Sequence, residues 1–358
     1  MIKTGELEVA VFVYTCFIFE AYSRGVEKNV QRRATMESDS VRIGVVIATR
    51  NRPRELQKLL TSLCHSTVHP VEVSIVATGL DVEEVLMEFS DRLKFRYQWT
   101  QTGGQVAQKK LAIEMLDHNL DWCLFSDDDV IFDSHAIENA LKTVKRSTGT
   151  QVIGVGFALT PTARVIHTAP WRRSIARLIG LDSSVPGRVL KSGHGVSYLE
   201  STKDIETEWL NGISMWRRDV AQNYLEVVPA IKPASCEDLF FSHSSRRFGK
   251  LLFASQARVH FQESEMTNSE NLMVLNSAAL WRLYLVKTIP NLSLVALLLS
   301  QLARVFYVLS QPKQQLSRPR IRYCLWFVSF VFFALKIGST RDIDKGLGLI
   351  QERIADTS

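Results

Sequence analysis

The stretch WCLFSDDDVIF, residues 122–132, constrains this chain most, because an apolar run ends there in three consecutive aspartates. Trp122, Cys123, Leu124 and Phe125 read as a buried strand, too short and too aromatic for a helix. Adjacent carboxylates repel, so packing gives no reason to set Asp127, Asp128 and Asp129 side by side. A hard divalent cation held through oxygen ligands, Mg²⁺ or Mn²⁺, relieves that repulsion. The carboxyl end of a strand in an open α/β sheet is also where such sheets bind ligands. A solvated acidic turn or a helix N-cap accounts for the same residues, so the rest of the chain has to decide.

The segments before the aspartates supply that context. VRIGVVIAT (41–49) is a continuous β-branched run, as in a strand buried on both faces. RNRPREL follows, with Pro53 suited to a first helical turn and Leu56, Leu59, Leu60 and Leu63 forming an apolar stripe. VEVSIVAT (71–78) reads as a second strand, Asp81 to Phe89 as a helix, and FRYQW (95–99) as a third strand. TGGQVAQKKLAIEML is a glycine turn and helix leading to the aspartate strand. This rhythm predicts a doubly wound, mostly parallel sheet. Gly103 and Gly104 lack the GxGxxG spacing of a dinucleotide site and do not follow the first strand, which argues against a dehydrogenase.

The four segments VVIATRNRPREL, SIVATGLD, GGQVAQKKLAI and FSDDDV, in that order, resemble the GT-A fold of the family 2 glycosyltransferases. WLNGISMWRRDV (209–220) looks like that family's acceptor segment, and CEDLFFSHSSRRFG (236–249) like its Glu-Asp motif. The resemblance runs from about Val41 to Pro290 and implies an inverting, metal-dependent transfer from a nucleotide sugar. It makes Asp129 the metal ligand and sets Asp127 on the ribose or in the metal's water shell, with Asp128 on the donor side. Lys109 matches a basic position near the diphosphate, and Thr49 and Arg50 follow the strand where the family holds the nucleoside. Asp238 matches the catalytic base with Glu237 beside it, His260 an occasional third metal ligand, and Trp209, Asn211 and Gly212 the acceptor segment. The chemistry needs these types: a Lewis acid on the departing diphosphate and a carboxylate that takes the acceptor's proton. Other readings stand beside these. Lys109 could be a solvated helix lysine, Glu237-Asp238 a helix N-terminus favoured by the macrodipole, and His260 a satisfied core residue.

One departure concerns the base. Family members usually carry an acid after the second strand, where this chain has Ala77 and Thr78. Backbone groups and Asp81 then hold the base, or the donor is not a uridine nucleotide. The QxxRW motif of processive members is absent after His260, so a single addition per encounter is expected.

A net charge of +6 implies an anionic partner. The arginines are dispersed and partly tied to apolar helices, which argues against nucleic acid. Five scattered cysteines without a CxxC pair argue for a reducing compartment and against a zinc site. Residues 1–40 read as an extension and linker, with Met36 an alternative start; 41–280 read as the catalytic domain. Trp171, Ile175, Leu178 and Ile179 form one helical face with Arg172, Arg173 and Arg177 off it, suited to a membrane surface or to packing on the domain. Ser192–Gly195 reads as an ordinary turn or a closing loop.

Leu292–Leu309 and Ile321–Ile337 are strongly apolar, each near the roughly 20 residues of a span. Two full spans would translocate the basic connector at 310–320, against the positive-inside tendency. An apolar helical hairpin dipping into the cytoplasmic leaflet is the expectation for 281–338, with 339–358 as a tail. The expected partners are a nucleotide sugar, a lipid-linked or cell-surface glycan acceptor and that leaflet. A nucleotidyltransferase would need a glycine-rich phosphate loop that ATRNRP does not provide, and a non-catalytic scaffold would lack an aspartate or the base.

Overall fold

A computed structural model describes residues 41–149, 151–160, 177, 182–199, 201–229, 233–262, 272–310, 320–340 and 342–355. The sheet begins as expected. β1 (Ile43–Arg50), β2 (Glu72–Thr78), β3 (Phe95–Thr100) and β4 (Trp122–Asp127) are all parallel, in the order β3-β2-β1-β4. β1 and β2 are almost wholly buried, as their unbroken β-branched runs require. The crossovers are α1 (Pro53–Cys64), α2 (Glu83–Met87) and α3 (Gln105–Met115). α1 has Pro53 in its first turn and buries Leu56, Leu59, Leu60 and Leu63. Three parallel strands therefore aim their carboxyl ends, Arg50, Thr78 and Asp127, at one edge.

Beyond β4 the sheet changes character. β5 (Val130–Phe132), α4 (Ala136–Arg146), β6 (Val152–Thr160), β7 (Ile205–Thr207) and β8 (Ser214–Arg217) follow, then α5 (Arg218–Val227), α6 (Glu237–Ser245) and β9 (Lys250–Phe261). β8 runs antiparallel between β4 and β6, β6 is parallel to β9, and β9 carries β7 and β5 antiparallel on its other edge. The sheet is thus mixed, with its parallel part confined mainly to the first four strands. An aromatic layer lies under the junction: Phe125, Trp216, Tyr224 and Phe241 pack with ring centroids 4.6–6.1 Å apart. It fixes α6 against β4, and so fixes what α6 carries against the aspartates.

Four helices close the chain: α7 (Leu272–Thr288), α8 (Leu294–Ser310), α9 (Arg320–Ser339) and α10 (Ile343–Ala355). The expectation of a separate apolar hairpin is corrected here. α7 is a core helix whose Trp281 is fully buried and donates its indole N–H to the Pro233 carbonyl at 2.8 Å. Phe240 of α6 packs edge-on against Tyr284 at 5.5 Å. α8, α9 and α10 all pack on α7. Among the described residues, no helix is long and apolar enough to cross a membrane. The 280/281 boundary drawn from hydropathy falls inside α7. Hydropathy alone does not separate a helix buried in protein from one buried in lipid, and protein covers α7. The extension 1–40, and all of the helical face at 171–179 except Arg177, lie outside the described residues.

Candidate active site

Three adjacent aspartates at the end of β4 take three different surroundings. Asp128 is buried; one carboxylate oxygen accepts the Thr49 hydroxyl at 2.7 Å and the other accepts Arg52 Nη1 at 2.8 Å. Asp129 accepts the same Arg52 nitrogen at 2.8 Å. Asp127 instead lies 3.8 Å from Lys109 Nζ. Burial pushes the Asp129 carboxyl above its ordinary range, and neighbouring Asp127 adds to that against the pull of Arg52. Burial likewise raises Asp128, opposed by Thr49 and Arg52. The cluster is short of positive charge.

Lys109 is 2% exposed and sits between two elements far apart in sequence. Its ammonium is 3.8 Å from Asp127 and 3.8 Å from Glu237 at the start of α6. Burial works against its charge, but Asp127, Glu237 and Asp238 together hold it above the usual lysine value. It is no solvated helix lysine. Gln108 beside it donates to the carbonyls of Thr49 and Val76 at 2.9 and 2.8 Å, tying α3 to the ends of β1 and β2. The turn before α3 lies so close to β2 that a Cβ on Gly103 would stand 2.1 Å from the Thr78 methyl.

Residues 209–212 complete the wall. Leu210 N–H donates to Ser242 Oγ of α6 at 2.9 Å, and Asn211 N–H donates to the buried Tyr198 hydroxyl at 2.8 Å. The Trp209 indole donates to the Val196 carbonyl at 3.1 Å. A Cβ on Gly212 would approach Asp127 Oδ2 to 3.3 Å, so glycine keeps that carboxylate's approach open. Asn211 leaves both side-chain amide atoms buried and without a partner. A small cleft lies between these groups, lined among others by Lys109, Asn211, Gly212, Glu237 and Asp238. Burial and the Glu237 carboxylate push Asp238 up to about 7, while the Leu239 N–H, donating at 2.7 Å, and Lys109 pull it down. α6 begins at Glu237, so the helix-terminus reading and the cleft position hold together.

The other expected residues lie apart from this cleft. Arg50 is exposed. Asp81, beyond β2, accepts the Tyr97 hydroxyl and the Glu83 N–H, and both hold its carboxyl below the usual range. His260, expected as an occasional third ligand, pairs through Nε2 with Asp133 at 2.7 Å, and β9 sets it opposite Ile131 of β5. His194 of the Ser192–Gly195 segment sits in a tight turn closed by the Val189–Gly195 bridge. Cys236 is buried, and burial raises its thiol, so it is no poised nucleophile.

Five carboxylates share this region with two cations, Lys109 and Arg52. Among the described residues, no three His, Cys, Asp or Glu side chains converge as a metal cage. The excess of carboxylates over cations would suit a Mg²⁺-like ion, which takes one or two carboxylates and completes its shell from phosphates and water. Asp129 and Asp127 are the residues available to hold it.

The Glycosyl transferase family 2 model matches residues 44–183, from β1 past the aspartates to the segment after β6. No curated protein matches the chain. The Staphylococcus aureus TarS 1–349 structure superimposes with a TM-score of 0.52 at 11% identity, over 88% of this chain and 89% of that one. The mannosyltransferase PcManGT from Pyrobaculum calidifontis, solved with GDP-Man and Mn²⁺, gives a TM-score of 0.48 at 11% identity, over 98% and 97% of the two chains. The α/β architecture, the matched segment and the acid-lined cleft agree: residues 44–183 match the family 2 glycosyltransferase model, the fold is GT-A-like, and the chain is a glycosyltransferase.

Proposed function

We propose that the protein transfers one sugar, with inversion, from a nucleotide-sugar donor to a hydroxyl of a lipid-linked or cell-surface glycan acceptor. The observation that carries this is the Lys109 bridge, which links the donor-side Asp127 to the α6 acids across one cleft. Asp238 takes the acceptor's proton as the new carbon–oxygen bond forms and the bond to the diphosphate breaks. Its raised carboxyl suits a base working near neutral pH. Glu237, held by Lys109, orients the acceptor, and the unpartnered Asn211 amide offers a donor and an acceptor to sugar hydroxyls. A Mg²⁺ or Mn²⁺ ion at Asp129 and Asp127 would supply Lewis-acid stabilisation of the leaving diphosphate. Thr49, Arg50, Asp81 and Asp128 lie at the carboxyl edge of the sheet, where the nucleoside belongs. The test is transfer from a panel of nucleotide sugars with Mn²⁺, reading the product's anomeric configuration by NMR. Inversion is expected; retention contradicts the single-displacement reading.

Attachment to the cytoplasmic leaflet is proposed in a peripheral form. Val295, Leu299 and Phe306 of α8 and Leu325, Val328, Phe332 and Leu335 of α9 are exposed, and their spacing sets each group along one helical face. The basic 310–320 connector lies between these two helices in sequence, which suits an anionic surface.

A further inference from the structure

Arg52 is the side chain the reaction above leaves without a task. It comes from the turn between β1 and α1, and a single nitrogen, Nη1, donates at 2.8 Å to both Asp128 Oδ1 and Asp129 Oδ2. Asp128 has a second anchor in Thr49. Asp129 has no other side-chain partner among the described residues. The Arg52 side chain is 43% exposed, whereas Lys109, the other cation, is 2% exposed and cannot leave its acids. Burial disfavours the Arg52 charge, yet its two aspartates hold its pKa above the ordinary value.

We propose that Arg52 is an internal counter-ion that competes with the divalent cation for Asp129 and yields it when the donor's diphosphate arrives. The reading of Asp129 as the metal carboxylate underlies this. An arginine fork matches phosphate oxygens as well as carboxylate oxygens. The diphosphate therefore offers the guanidinium a second partner at the moment it brings its own oxygens to the metal. Without donor, a cation entering at Asp129 must displace Arg52 or sit beside its charge, so it binds weakly. Metal and donor then bind cooperatively, each tightening the other by the same factor. Asp128, kept in place by Thr49, holds the cluster's geometry while Arg52 moves.

The experiment is Mn²⁺ binding to the full chain without nucleotide, followed by the EPR signal of free Mn²⁺. Removing a positive charge beside the ion in Arg52→Gln is expected to tighten Mn²⁺ about tenfold after allowance for solvent screening. Arg52→Lys keeps the charge, and so the fold, but loses the two-carboxylate bridge; a tightening of about threefold is expected. UDP and GDP, as probes, should tighten Mn²⁺ more in wild type than in either variant. Folded Arg52 variants that bind Mn²⁺ no tighter than wild type overturn the proposal. If instead Asp129→Ala binds Mn²⁺ as tightly as wild type, the metal reading beneath it fails, whatever the Arg52 variants do.

Discussion

Two acid groups lie on either side of Asp127 and Lys109, and they are neutralised in opposite ways. On the donor side, Asp128 and Asp129 share the half-exposed Arg52; on the acceptor side, Glu237 and Asp238 are served by Lys109, buried in the wall. A buried ammonium held between carboxylates is a permanent part of the fold, because losing it leaves uncompensated charge inside. An arginine on a turn, with solvent beside it, is exchangeable. The comparison separates a fixed electrostatic wall from a socket whose cation can be replaced, and the reaction needs both. On the proposed function, the acceptor base would keep its place throughout, while a metal would come and go with each donor.

The strongest way to break that contrast is at the socket. Asp129→Ala is expected to lower sugar transfer by about 10³-fold or more, since metal stabilisation of a leaving group is worth several kcal/mol. Circular dichroism should stay native and donor affinity should no longer respond to Mn²⁺. Full activity in this variant, or in excess chelator, removes the socket from the account. At the wall the loss is one of stability. Lys109→Met leaves Glu237 buried without its cation, and chemical denaturation should show a loss of about 3 kcal/mol. A variant as stable as wild type would make the lysine an incidental neighbour.

Much of the parallel sheet was legible in the sequence, because β1, β2 and β4 announce themselves by continuous apolar runs and the aspartates at its edge by their adjacency. What was not legible arises from long-range contact. Arg52 meets partners 76 and 77 positions away, and no spacing rule relates them. Asn51 adopts a positive φ of 57°, a bend that spacing does not announce, and of the two flanking arginines Arg50 ends exposed while Arg52 reaches the aspartates. The same holds for Gln108, whose two carbonyl partners belong to separate strands. The Asp133 partner of His260 was equally hidden, because it depends on the register of β9 against β5. The C-terminal helices were read from hydropathy, which reports apolarity and not what covers it.

Smaller effects sharpen the comparison. With Asp238 pushed up to about 7, its carboxyl is protonated below that value and free to act as the proposed base above it. The kcat/KM for transfer should therefore rise through about pH 7 and level off, with this limb lost in Asp238→Asn. A profile flat from pH 6 to about 8 speaks against a carboxylate base with a raised pKa. The mildest expected change is outside the cleft. Phe306→Ser with Phe332→Ser should weaken sedimentation with anionic vesicles by about tenfold, roughly 1.4 kcal/mol, and leave transfer to a soluble acceptor unchanged. Undiminished sedimentation removes the α8 and α9 face as the attachment surface.

Single-turnover kinetics of Asp238→Asn test the division between socket and wall most directly. The substitution keeps the shape and removes the proton acceptor at the acceptor side alone. The account predicts that Mn²⁺-dependent donor binding stays within about twofold of wild type while the transfer step slows by about 10²–10⁴-fold, with kcat and kcat/KM falling together. A variant that transfers as fast as wild type, or one that loses donor binding in proportion to rate, contradicts it.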